Sequence, residues 1–213
     1  MAKLINSLLS GSSGKIGQIV VVQLGDQEII RALPKKRAGS SVEQLLVQHR
    51  MKMVYAFLSG YGNYARKFFG QKVGVRSCYN FAMTSILKAF KLDYENNRLD
   101  PVYSEIEFSS GTLLPPVPAQ LTSADPEGLT LTWVDNAAGN PERATDQLQL
   151  LYYVGGEKTP VFLENAARRS DAVFTLALPP GLSGKTLHVW MAFRNLNQTD
   201  VSTSMYVGNV VIN

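Results

Sequence analysis

The chain has 213 residues, 45% hydrophobic and 18% charged, with 17 Gly, 10 Pro, one cysteine, two histidines and a net charge of +4. That composition excludes collagen-like, coiled-coil and wholly disordered chains, and the length suits one or two domains that fold without covalent staples. A lone Cys78 excludes an intrachain disulfide, and His49 and His188 are too few for the usual Cys/His zinc sites, so no metal and no cofactor is expected.

The longest apolar run, Ile19-Val20-Val21-Val22, is strand-sized and well short of the roughly 18 residues of a membrane span. The segment Met1–Leu9 fails as a secretory signal, because Asn6 and Ser7 interrupt it and Gly11-Ser12-Ser13-Gly14-Lys15 follows without a cleavage pattern. Synthesis in the cytoplasm without Sec export is therefore expected, with a virion, or assembly outside the cell by another route, as the destinations left open. Charge is divided unevenly. Residues 1–92 hold 14 Lys and Arg against three acids, whereas residues 93–213 hold seven against 14. The first part attracts polyanions or acidic protein surfaces, and it also attracts the acidic part of a second copy.

In chain order, Lys15 to Leu24 and Gln27 to Leu33 are β-branched runs joined at Gly25-Asp26, which reads as a β-hairpin with a type II′ turn. Pro34-Lys35-Lys36-Arg37 breaks the second strand. Ser40, with Glu43 three residues on, starts a helix whose apolar positions are Val42, Leu45, Leu46, His49, Met53 and Phe57. A short helix over Tyr64–Phe69 and another over Cys78–Phe90 follow. Tyr103–Phe108 alternates like a strand. Three prolines within Pro115-Pro116-Val117-Pro118 then make a stiff connector. Beyond it, seven short strands are expected at 120–122, 129–134, 147–154, 159–163, 172–178, 185–193 and 202–212, separated by turn clusters such as Gly155-Gly156 and Pro179-Pro180-Gly181.

The fold class expected is thus α+β in two parts, an N-terminal β-hairpin plus helices and a C-terminal seven-stranded β-sandwich. The division runs as a basic domain over 1–110, a Pro-rich linker over 111–118 and a sandwich over 119–213. With Leu129-Thr130-Leu131-Thr132-Trp133 as an early strand and Thr186-Leu187-His188-Val189-Trp190 as a late one, residues 115–213 resemble a fibronectin type III or immunoglobulin-like module; the family's corner tyrosine falls on Leu187. Gly14-Lys15-Ile16-Gly17, Ile30-Arg31-Ala32-Leu33-Pro34-Lys35-Lys36, Gln44-Leu45 and Arg50 resemble an uncharacterised family of about this length found mainly in Bacteroidota, which implies no catalytic residues. Residues 11–58 loosely resemble small phage structural proteins.

No chemistry-bearing pattern outweighs its structural explanation. Gly11–Lys15 lacks the spacing of a phosphate loop, since Leu9 and Ile16 stand where Gly and Ser/Thr belong. Cys78 and His49 lie on apolar helical faces, where core packing explains them better than a nucleophile and its base. Glu105 and Glu107 share one face of an alternating segment, as a solvated face does. Arg50, Lys52, Arg66, Lys67, Lys72, Arg76, Lys88 and Lys91 interleave with rings from Tyr55 to Phe90, which is the raw material of a nucleic-acid surface without a recognisable motif.

The expectation is a non-enzymatic, self-assembling structural or interaction subunit, an oligomer, filament or virion-type component. Its donor elements are the hairpin Lys15–Leu33 and a flexible arm Met1–Gly14, with the candidate interface at Ile19, Val20, Val21, Val22, Ile29, Ile30, Lys35, Lys36 and Arg37. A short hairpin is marginal alone, and covering it on a neighbouring copy stabilises it. The alternatives are a glycan- or protein-binding accessory module using rings such as Tyr152 or Tyr153, and a nucleic-acid binder acting through the basic half.

Overall fold

A computed structural model describes residues 2–5, 8–35, 39–123 and 128–212. The expected hairpin is the middle of a larger sheet. β3 (Ile19–Leu24) and β4 (Gln27–Ala32) turn at Gly25, whose φ of 60° suits glycine, and two short strands extend them. These are β1 (Ala2–Leu4), paired to β4, and β2 (Gly14–Ile16), paired to β3, so the antiparallel order is β1-β4-β3-β2. Within the arm expected to be flexible, the described strand β1 thus pairs with the hairpin of its own chain.

Helix α1 (Val42–Ser59) starts one residue later than expected. Ser41 is the N-cap, its Oγ accepting from Gln44 N at 3.2 Å while Gln44 Oε1 accepts from Ser41 N at 3.2 Å. α2 (Gly62–Phe68) and α3 (Cys78–Ala89) follow, and a hairpin of β5 (Phe90–Asp93) and β6 (Arg98–Pro101) closes this layer. The alternation over Tyr103–Phe108 is not a strand: residues Tyr103–Glu105 form a single 3₁₀ turn, and Ile106 and Phe108 are buried.

All seven expected sandwich strands are present. β7 (Pro118–Thr122), β8 (Gly128–Trp133) and β11 (Val173–Ala177) form one sheet in the order β11-β8-β7. β9 (Gln147–Val154), β10 (Val161–Leu163), β12 (Thr186–Arg194) and β13 (Met205–Val211) form the other in the order β10-β9-β12-β13. All ladders are antiparallel, and this is the fibronectin III-like division into three and four strands. A one-turn helix, α4 (Pro141–Ala144), lies in the β8–β9 connection.

The four-stranded sheet is apolar on both faces, because β9 and β12 are buried on both. Its inner face, with Leu148, Leu150, Val189, Met191 and Phe193, packs on Leu129, Leu131 and Trp133 of the smaller sheet. Its outer face, with Leu151, Tyr153, Trp190 and Ala192, packs on the helices. Phe57 of α1 lies at the centre of that second core, with ring centroids 5.5 Å from Tyr153, 5.9 Å from Trp190 and 5.9 Å from Phe90. The body thus has three layers.

The segment 108–117 runs across the boundary between helices and sandwich and is bonded throughout. Ser109 Oγ donates to Ser202 O at 2.9 Å, Leu113 N donates to Val201 O at 3.1 Å, and Asn136 Nδ2 donates to Pro115 O at 2.9 Å. Beside it the fully buried Arg169 donates to Asp146 Oδ2 (Nη2 at 2.9 Å), to Leu114 O at 2.9 Å and to Asn136, with Phe193 beneath its guanidinium at 4.0 Å. Burial lowers the Arg169 pKa, and the hydrogen bond and charge of Asp146 oppose that shift.

Candidate functional site

The N-terminal sheet lies outside these cores. Residues opposite each other on neighbouring strands share a face, so its register sorts the side chains. Ile16, Ile19, Val21, Glu28 and Ile30 share one face; Lys3, Lys15, Val20, Val22, Leu24, Ile29 and Arg31 share the other. β1 and β2 are at opposite edges, and the described part of the chain joining them lies against one face. That face is the first: Ser10 Oγ and Gly11 N donate to the Glu28 carboxylate at 3.1 and 2.6 Å. Val21, on that covered face, is 1% exposed.

The second face has no such cover among the described residues. Val20, Val22 and Ile29 are half-buried by their own neighbours, Leu24 is exposed, and Lys3, Lys15 and Arg31 rim the patch. The sheet meets the body at its β3–β4 turn, where a Cβ added to Gly25 would sit 2.9 Å from Val75 Cγ1. Lys35 is exposed; Lys36 and Arg37 lie outside the described residues. The structure therefore brings Val20, Val22 and Ile29 together on one face, and places Ile19, Val21 and Ile30 on the opposite one.

The competing sites are dispersed. Tyr152 and Tyr153 are each 5% exposed, so neither is a surface ring for a glycan. Tyr153 Oη instead donates to Glu157 O at 2.7 Å. Of the rings expected among the helical cations, Tyr61, Tyr64, Phe68, Phe69 and Phe90 belong to the core, while Tyr55 is exposed. His49 is exposed, contrary to its expected core position, and Cys78 Sγ donates to Gly70 O at 3.5 Å. Among the described residues no three His, Cys, Asp or Glu side chains cluster as metal ligands, and no helix is long and apolar enough to cross a membrane.

A surface the sequence reading did not find lies on α1. Its first half projects past the core, leaving Val42, Leu45, Val47 and Met51 exposed. The signal was present in Leu45-Leu46-Val47, three consecutive apolar residues that no single helical face can bury. Between this half of α1 and the β5–β6 turn is an open groove of about 940 Å³, lined by Gly39, Ser40, Glu43, Gln44, Val47, Gln48 and Tyr94.

The sequence profile of a family of unknown function, DUF6266, matches residues 11–208. The chain belongs to that family. The DUF6266 match takes in β2, β3 and β4 as well as the helices and almost the whole sandwich, so three of the four strands of the N-terminal sheet belong to the family pattern. A comparison with curated proteins yields no match. Among solved structures, the fn3 domain of human collagen alpha-1(XX) chain is 16% identical over 46% of this chain and 84% of that one, with a TM-score of 0.36. The fn3 domain of human contactin 1 is 9% identical over 49% of this chain and 83% of that one, with a TM-score of 0.34. No function is carried over from either.

Proposed function

We propose that the chain is a non-enzymatic structural subunit that associates with further copies of itself, its N-terminal sheet packing on a neighbouring copy. The observation that carries this reading is the open face of that sheet, an apolar centre of Val20, Val22 and Ile29 beside the exposed Leu24. An exposed apolar face is a surface that a partner can bury, and among the described residues the body meets the sheet at its turn end, at Val75. Val20, Val22 and Ile29 are already half-buried, so covering what remains of each contributes about half of the roughly 1.5–3 kcal/mol of a fully exposed side chain, before the costs of association. Further apolar surface is exposed in the same region, at Ile5, Leu8 and Ile16.

The test is the mass of the full-length chain in solution by light scattering, with negative-stain images of the same sample. Oligomers, rings or filaments are expected, and removal of residues 1–33 is expected to leave monomers that keep the helical and sandwich signals. A full-length chain that stays monomeric at every concentration, or a truncated chain that assembles as before, refutes the reading.

A further inference from the structure

We propose that the groove between the first half of α1 and the β5–β6 turn is the acceptor for the N-terminal sheet of the next copy, so that copies join head to tail. This rests on the reading that the sheet packs on a neighbour, and adds where it packs.

The two surfaces complement each other in polarity and charge. The donor presents an apolar centre ringed by Lys3, Lys15 and Arg31. The acceptor is concave, its apolar lining is Val47, 41% exposed, and Tyr94, 54% exposed, and its rim is acidic. Glu43 lines the groove and Glu95 follows Tyr94 in the turn, whereas Asp93 faces Arg98 across the β5–β6 ladder and accepts hydrogen bonds from the turn itself. Neither Glu43 nor Glu95 has an ion-pair partner among the described residues.

Acids are scarce in this half of the chain: before residue 93 there are three, Asp26, Glu28 and Glu43. Asp26 sits in the β3–β4 turn of the donor itself and Glu28 is bound by Ser10 and Gly11, so of the three Glu43 is the one on the helical layer, and it lies at the groove. An acceptor elsewhere on the helical layer would set Lys67, Lys72 or Arg76 against the cations of the donor, which like-charge repulsion disfavours. The groove is also unfilled by its own sheet, whose turn end rests against Val75 instead. Donor and acceptor are different patches, so the contact is heterologous and repeats into a ring or an open filament.

Charge reversal in the full-length chain tests this. One variant carries Lys15→Glu and Arg31→Glu on the donor; a second carries Glu43→Lys and Glu95→Lys on the acceptor. Each alone is expected to weaken association by about tenfold or more, read by light scattering over a concentration series. An equimolar mixture of the two is expected to regain assembly, because each reversed surface then meets its complement, and that recovery also shows both variants to be folded. If donor reversal dissolves the assembly while acceptor reversal leaves it intact, the groove is the wrong acceptor although self-association through the sheet stands. Two dissolved variants that stay apart on mixing also overturn the groove. A wild-type chain that is monomeric throughout overturns both the groove and the reading beneath it.

Discussion

Phe57→Ala tests whether helices and sandwich form one cooperative body. Phe57 is 1% exposed, and its ring lies 5.5 to 6.2 Å from those of Tyr61, Phe90, Tyr153 and Trp190, two of them on the sandwich sheet. Truncating a buried phenylalanine costs about 3–5 kcal/mol, since the rings around it cannot collapse fully into the space. With a urea dependence of about 2 kcal/mol per molar, the unfolding midpoint should fall by about 2 M. The assay is urea unfolding followed by helical ellipticity, with amide exchange of α3 and of β8 recorded in parallel. β8 is in the far sheet, yet its protection should fall with that of α3 because one core links the layers. If α3 loses protection while β8 keeps its wild-type value, the two parts unfold independently and the shared-core argument fails.

Asp146→Ala leaves the buried Arg169 guanidinium without its carboxylate and should cost about 3–5 kcal/mol, read as a lower urea midpoint, with Asp146→Asn less damaging because it keeps an acceptor. Burial lowers the His188 pKa below its ordinary value of 6.5, so protonation favours the unfolded chain. Its stabilisation is present above pH 6.5 and is lost as the pH falls through the folded value; the midpoint should drop between pH 7 and 5.5, and less so in His188→Phe, which retains a ring to stack on Tyr103. Gly111→Ala would place a Cβ 2.1 Å from Val201 O, so the crossing segment must shift, at about 1–3 kcal/mol, seen as a lower thermal midpoint with the helical signal retained at low temperature.

The sandwich was legible because its strands alternate or run apolar between strong turn signals; β9 occupies the span its pattern marks, Gln147–Val154. The layer above it was legible only in part. A strand apolar on both faces must be covered on both, and Leu151, Tyr153 and Trp190 already declared a second face that a two-layer sandwich leaves bare. The helix start slipped by one residue because Ser40-Ser41-Val42-Glu43-Gln44 offers two overlapping capping boxes, and the backbone uses the second. β1 and β2 are three residues each, too short to carry a period, and they form because β3 and β4 offer free edges. At the candidate interface the run Ile19–Val22 announced a need for cover, but which residues share a face depended on register, and register placed Val21 under the chain's own crossover.

The body and the sheet divide stability between them unequally. In the body, the two buried arginines have carboxylate partners, Arg169 with Asp146 and Arg194 with Glu164, and the rings of Phe57, Tyr61, Tyr64 and Phe68 are enclosed. The sheet has edge strands of three residues and, among its described side chains, one that is buried, Val21. A neighbour that covers its open face therefore stabilises the folded sheet and the contact in one step, and association becomes coupled to ordering. The rim of Lys3, Lys15 and Arg31 works against the alternative in which two such sheets stack face to face, because like charges would then oppose each other around the apolar centre. In the proposed head-to-tail contact, repulsion between donors and attraction to an acidic acceptor would both favour one direction of growth, and so would let a chain with a net charge of +4 associate with its own copies.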